Sequence, residues 1–214
     1  MINFVLKIQE NPTLLRIYRT LSSLIQLIPY YVMEEVCLDQ KKVNVTPGIE
    51  DPEFSILTRD DMKSLGDHEE CFATTEELIR WLDSGCLCLA VKDKGEIAAY
   101  SWCDPNYLSF KGRTIALKRN EAFMFKARTY KAFRGKNLAP YVRYEFYRLL
   151  KKREVERILS ITLLSNTAAM KFKRKLGAKP IELFLYVGLF KKFQMHFRLK
   201  NLARRRKDFP IKKP

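Results

Sequence analysis

A chain of 214 residues with 47% hydrophobic content, 8 glycines and 9 prolines has the length to bury a core and is too apolar to stay disordered. Its five cysteines (Cys37, Cys71, Cys86, Cys88 and Cys103) form no CxxC pair, and of the two histidines only His68, three residues before Cys71, lies near one of them, His196 being remote. That spacing excludes a zinc motif or disulfide framework, predicts no metal, and suits reduced thiols in a cytoplasmic protein.

The net charge of +16 is divided unevenly: residues 1–104 hold 10 Lys/Arg against 18 Asp/Glu, and residues 105–214 hold 30 against 6. A basic half of this kind attracts a phosphorylated cofactor, acidic lipid headgroups or nucleic acid, or serves as a solubilising surface.

Residues 13–28 read as an amphipathic helix, with Leu14, Ile17, Leu21, Leu24 and Ile28 recurring at helical spacing and Pro29 ending the pattern. Such a helix packs on the domain, on a second subunit or on a membrane surface; Arg16, Arg19, Gln26 and Pro29 break the apolar run short of a transmembrane span. Weak alternation marks a strand between Tyr31 and Val45, and Thr46-Pro47-Gly48 opens a turn-rich linker. Residues 1–50 are therefore assigned to a helix-and-linker extension, 51–199 to the principal domain and 200–214 to a basic tail.

From Phe54 the rhythm changes. Phe54 to Leu57 reads as a strand, and Thr74 or Thr75 caps a helix running through Leu82 to Gly85. Cys86 to Val91 and Ile97 to Trp102 are apolar strands joined by the turn residues 92–96, a hairpin. A polar connection over 105–120 has room for one short strand, Thr114 to Leu117. A strand over 121–129 precedes the turn Arg134-Gly135-Lys136-Asn137-Leu138-Ala139, and a helix follows to Lys152 with Pro140 in its first turn. Ile158 to Leu164 is a strand, Asn166 caps a helix closed by Gly177, and residues 181–199 carry two further strands. A hairpin followed by β-α-β units gives an α/β fold with a mixed sheet.

Strand, glycine-bearing basic turn and helix N-terminus together make an anion site. With the hairpin 87–102 before it and Ser165-Asn166-Thr167-Ala168-Ala169-Met170-Lys171-Phe172-Lys173-Arg174-Lys175-Leu176-Gly177-Ala178 after it, the region 53–198 resembles the GCN5-related N-acetyltransferase (GNAT) superfamily. The turn is similar to that family's Arg/Gln-x-x-Gly-x-Gly/Ala pyrophosphate loop, and the second segment to its Asn-x-x-Ala helix. The resemblance implies a mixed, mostly antiparallel central sheet flanked by helices, here with an N-terminal helical extension.

It also implies acetyl-CoA or another acyl-CoA as co-substrate. The pantetheine arm is then expected along the backbone of Ala127, Arg128 and Thr129. The pyrophosphate is expected on Gly135, Lys136, Asn137, Leu138 and Ala139, with Arg134 beside it. Asn166, Ala169 and Phe172 approach from the next helix. Asn137 replaces a family glycine and tolerates left-handed backbone better than most residues. Lys173 stands where many members place a tyrosine acid; it serves as the acid, faces solvent or contacts the phosphates. Glu121 is the expected base or a plain exposed carboxylate, with Asp104 and Tyr130 as further candidates.

The expected reaction is direct transfer of an acyl group to an amine or hydroxyl, and the alternative is an acyl-CoA-binding sensor or scaffold that transfers nothing. Charge suggests an acceptor, small or conjugated, that is acidic or membrane-associated. A homodimer and peripheral membrane contact are compatible with the N-terminal segment, and nucleic acid is disfavoured because no RNA-binding aromatic motif accompanies the basic tail.

Overall fold

The computed structural model describes residues 25–35, 46–190 and 192–203. Its centre is an eight-stranded sheet built from β1 (Ile25–Glu35), β2 (Pro52–Ile56), β3 (Leu87–Asp93), β4 (Glu96–Asp104), β7 (Glu121–Thr129), β8 (Arg157–Leu163), β9 (Lys179–Leu189) and β10 (Phe193–Asn201). The spatial order is β10-β9-β1-β8-β7-β4-β3-β2, and β7–β8 is the one parallel pair in it. The expected mixed, mostly antiparallel sheet is what forms.

Two short helices, α1 (Asp61–Gly66) and α2 (Thr75–Asp83), cover one part of the sheet, while α3 (Leu138–Lys152) and α4 (Thr167–Lys175) cover another. The cap of α2 is Thr74: its hydroxyl takes the Glu77 N–H at 3.3 Å, and the Glu77 carboxylate takes the Thr74 N–H at 3.1 Å, a reciprocal capping box. Leu78 of α2 is fully buried against Cys88, Tyr100 and Trp102. On α3, Phe146, Tyr147 and Leu150 recur at one- and three-residue steps and bury against Met124 and Ile158. Each such fully buried apolar side chain stabilises the fold by about 1.5–3 kcal/mol relative to exposure.

Two sequence expectations are corrected. Residues 25–28 are strand, so the helix expected over 13–28 does not extend to Pro29; its part over 13–24 lies outside the described residues. β1 sits between β8 and β9 in the middle of the sheet, so the boundary at residue 50 assigns a core strand to an extension. The helical spacing of Ile25 and Ile28 yields to strand pairing with β9, a tertiary override of a local pattern. Pro29 is tolerated because β8 has ended there: the Leu164 N–H, one residue past β8, donates to the Pro29 carbonyl at 3.1 Å. The connection over 105–120 holds a complete hairpin, β5 (Tyr107–Phe110) with β6 (Arg113–Ala116), and Leu108 covers Tyr30, Phe123 and Leu159.

Candidate active site

β7 and β8 run side by side from Glu121↔Arg157 to Met124↔Ser160 and then separate, leaving Phe125–Thr129 and Ile161–Leu163 unpaired with each other. A bulge in the β4–β7 ladder lies at the point of separation. Between Trp102↔Phe125 and Tyr100↔Arg128, three residue steps on β7 face two on β4, and Lys126 takes a φ of 47°. Tyr130 N–H donates to Ala98 O, whereas Thr129 O accepts from Arg134 Nε at 3.3 Å. The N–H and C=O of a strand residue point to one side, so Thr129 directs its amide into the splay.

The turn follows directly. Gly135 adopts φ 81° and Asn137 φ 57°, so the left-handed position is filled by an asparagine. Asn137 Nδ2 donates to Thr46 O at 2.9 Å, its Oδ1 accepts from Lys175 Nζ at 3.3 Å, and Gly48 N–H donates to Lys136 O at 2.8 Å. The segment 46–48 thereby laces the turn from outside. The first amides of α3 have no intrahelical acceptor, leaving donors at the positively polarised helix end.

Beside the splay, between β4 and β7 on one side and α3 and α4 on the other, lies a cavity of about 60 Å³. Ala127, Arg128, Thr129, Ala139 and Phe172, all expected at the donor, line it together with Ser101 and Arg143. Its wall carries buried polar atoms with no hydrogen-bond partner among the described residues: Ser101 Oγ, Arg128 Nε, Thr129 Oγ1 and Arg143 Nη1. Buried polar groups are nearly always satisfied, so this concentration marks where a ligand's polar atoms fit. The glycine turn, the unsatisfied donors and the slot between strands suit a long donor with phosphates at one end and amide and carbonyl groups at the other.

Arg134 is committed elsewhere. Its Nη2 lies 3.0 Å from Glu70, which also receives Arg128 Nη2 at 3.2 Å and the Lys131 N–H at 2.7 Å. The Lys131 amide, with Arg128 and Arg134, holds the Glu70 carboxyl below its ordinary value. Lys136 Nζ rests 5.1 Å over the Phe133 ring, and Lys175 brings a cation to the turn from α4. Asn166 caps α4 by accepting the Ala169 N–H at 3.0 Å and is exposed. Leu138 is buried on the other side of the turn against Val91, Ala98 and Val142.

The two expected catalytic residues are not brought to the cavity. Glu121 opens β7 at the end opposite Thr129, about 25 Å away at the rise of a strand. Its carboxylate takes Arg157 Nη1 at 2.8 Å and the Lys118 N–H at 3.1 Å. Burial acts against ionisation there, yet these donors hold the carboxyl below its ordinary value, making it a poor base. Lys173 faces neither solvent nor the cavity. Its Nζ donates to Ser160 Oγ at 2.8 Å, Thr162 Oγ1 at 2.8 Å and Ile161 O at 3.3 Å, and lies 3.4 Å from Glu35. Of the further candidates, Asp104 caps the turn at Asn106 and Tyr107, and burial raises the Tyr130 phenol above its ordinary value.

The cluster around Lys173 was not expected from sequence. Glu35 of β1 is sealed from solvent and accepts hydrogen bonds from Tyr147 Oη and Ser160 Oγ, with Arg143 Nε 3.6 Å away. Glu70, Arg143 and Ser101 were missed as well. Nothing local distinguishes them from surface charges or core fillers; the signal is long-range pairing.

No group of three or more His, Cys, Asp or Glu is placed to hold a metal among the described residues. A family model described as "Acetyltransferase (GNAT) family" matches residues 53–178. No curated protein matches the sequence. Among solved structures, a GCN5-related N-acetyltransferase from Sphaerobacter thermophilus is similar at 15% identity and TM-score 0.57, covering 90% of this chain and 59% of that one. A tandem GNAT protein from the clavulanic acid biosynthesis pathway has 11% identity and TM-score 0.57, over 80% and 54%. A GCN5-related N-acetyltransferase-like protein from Streptococcus suis has 13% identity and TM-score 0.52, over 84% and 68%. These likenesses are of fold, and the chain spans between about half and two thirds of those proteins' lengths. The family match runs from β2 to the end of α4 and includes both splayed strands and the turn between them: the chain belongs to the GNAT acetyltransferase family.

Proposed function

We propose that the protein transfers an acetyl group from acetyl-CoA directly to the nitrogen of an amine acceptor. The observation that carries this reading is the cavity at the splay, where five residues expected at the donor meet unsatisfied buried polar atoms. The family uses acetyl-CoA as co-substrate, which supplies an activated acyl group as a thioester. The turn 135–139 and the N-terminus of α3 hold its phosphates, and the Thr129 amide and cavity wall orient its acyl end. The small cavity favours acetyl over long acyl chains.

The cavity lining contains no carboxylate or imidazole. The acceptor therefore enters as free amine and releases its proton to solvent, so the rate follows the acceptor's own ionisation. A larger cleft of about 580 Å³ is lined by Tyr130 and Glu70, neighbours of the cavity's Thr129 and Arg128. Asp61, Glu69, Glu70 and Glu96 outnumber Lys92 and Lys131 there, which favours an acceptor with a second, cationic group beside its free amine over the acidic acceptor that overall charge suggests. The lack of a base in the cavity is also what a non-catalytic acyl-CoA sensor would show.

Calorimetry with CoA and acetyl-CoA, followed by thiol-release assays on a panel of cationic, neutral and acidic amines, separates these readings. Binding with turnover supports the transferase; binding without turnover on any amine favours the sensor; no binding of either ligand removes both. Free Cys71, Cys86, Cys88 and Cys103 suit a cytoplasmic setting, and no helix among the described residues is long and apolar enough to cross a membrane. Edge strand β10 exposes Phe193, Met195 and Phe197, which supports a dimer testable by light scattering.

A further inference from the structure

We infer that Arg143 is the side chain that grips the acyl carbonyl in the splay cavity, and that Glu35 aims it there. The inference rests on the donor site proposed above and adds to it a side-chain donor.

Arginine is seldom buried without full pairing, yet the Arg143 side chain is only 3% exposed. Among the described residues its one ion-pair partner is Glu35, at 3.6 Å from Nε, beyond hydrogen-bond reach. Glu35 is already occupied by Tyr147 and Ser160 hydroxyls and by Lys173. Among the described residues Arg143 Nε and Nη1 are left without hydrogen-bond partners, although a buried guanidinium without acceptors is costly.

The same guanidinium lines the cavity with Thr129 and Ser101, whose hydroxyls also lack partners, and sits 5.9 Å from the Phe172 ring. Charge points the same way. Protonated Arg143 and Lys173 face a single buried carboxylate, so the cluster carries one surplus positive charge. The complement is a small group carrying partial negative charge, which a thioester carbonyl oxygen becomes during transfer. As the amine nitrogen bonds the carbonyl carbon and the C–S bond breaks, the electron pair leaves on sulfur. The proton shed by nitrogen restores the thiol through solvent, giving amide and CoA. Arg143 Nη1–H opposes the charge that grows on the oxygen during this step.

The test uses the full chain and [1-13C]acetyl-CoA, reading the carbonyl stretch by infrared difference spectroscopy and the affinities of acetyl-CoA and CoA by calorimetry. In the wild type the band moves below its position in water. Arg143→Met leaves Glu35 paired with Lys173 alone, Glu35→Gln/Arg143→Met keeps the cluster's net charge as in the wild type, and Arg143→Lys retains the cation. In the double variant the band returns to its free-ligand position, and acetyl-CoA binding weakens about tenfold while CoA binding is kept, the scale of one charged hydrogen bond. Arg143→Lys gives an intermediate shift. A folded variant lacking Arg143 whose band still moves as in the wild type overturns the inference, as does equal weakening of CoA and acetyl-CoA. Failure of the wild type to bind either ligand would instead refute the donor site itself.

Discussion

Lys173 Nζ lies 3.4 Å from the carboxylate of Glu35, with both side chains sealed beneath α3 and α4. Removing one member of a buried ion cluster leaves the others uncompensated, a loss of about 3–5 kcal/mol. Glu35→Ala strands both Arg143 and Lys173 and should reach that range. Lys173→Met removes the surplus positive charge and leaves Glu35 with Arg143, so it should cost clearly less. Denaturant unfolding of the two variants checks the order, and equal losses would show that Glu35 is not the hub.

The same cluster sets a dependence on pH. Burial alone would raise Glu35, but Arg143, Lys173 and the Ser160 and Tyr147 hydroxyls outweigh it and hold the carboxyl at about 2, against an ordinary 4.5. Its contribution is present above 4.5 and fades as pH falls toward 2. Lys173 is pulled down by burial, helped by Arg143 and resisted by Glu35, to about 8 from 10.5. The unfolded chain then binds the extra proton between these values, so stability rises as pH climbs from 8 to 10.5. The rise is about 3 kcal/mol at most, at 1.36 kcal/mol per unit. Unfolding free energies measured across both windows should show the acid loss blunted in Glu35→Gln and the alkaline rise absent in Lys173→Met.

What the sequence disclosed is what is local. The left-handed Asn137, the cap at Thr74 from the pair Thr74 and Thr75, the cap at Asn166 and the turn of the hairpin all depend on neighbours within a few residues, and each is found. Glu35, Arg143 and Glu70 act through partners 58 to 138 residues away in chain number only when the sheet is assembled; Glu35 to Lys173 and Glu70 to Arg134 have no local trace. The bulge at Lys126 was hidden for the same reason, since it is defined by the register against β4. Placing Glu121 near the chemistry failed because a strand of nine residues has two ends, and the splay opens at the other one.

Arg134 pairs with Glu70, and on the proposed donor site the phosphates would compete for it. Arg134→Ala should weaken CoA binding about threefold to tenfold and flatten its salt dependence, because one partly exposed cation is lost. Glu70→Gln keeps an oxygen for the Lys131 N–H while releasing the arginine, so CoA should bind a few-fold tighter. Calorimetry at low and high salt distinguishes these outcomes. An Arg134→Ala variant with wild-type affinity would show that the guanidinium belongs to Glu70 alone.

The turn itself can be probed through backbone conformation. At Gly135 a Cβ would meet nothing within 4 Å, so Gly135→Ala is opposed by its φ of 81° and not by a clash. That strain costs about 1–2 kcal/mol, and relaxing it would turn the amides away from a bound phosphate. Asn137→Gly removes the strain at φ 57° but loses the bonds to Thr46 and Lys175, so stability should change by less than about 1 kcal/mol and CoA affinity should hold. At Gly48 an added Cβ would lie 3.2 Å from the Lys136 Cα and carbonyl oxygen, so Gly48→Ala must shift the lacing segment against the turn by a few tenths of an ångström. Thermal midpoints and CoA affinities should therefore rank Asn137→Gly close to wild type, with Gly48→Ala and Gly135→Ala both impaired in binding. Undiminished CoA affinity in Gly135→Ala would mean that the phosphates do not lie on these amides.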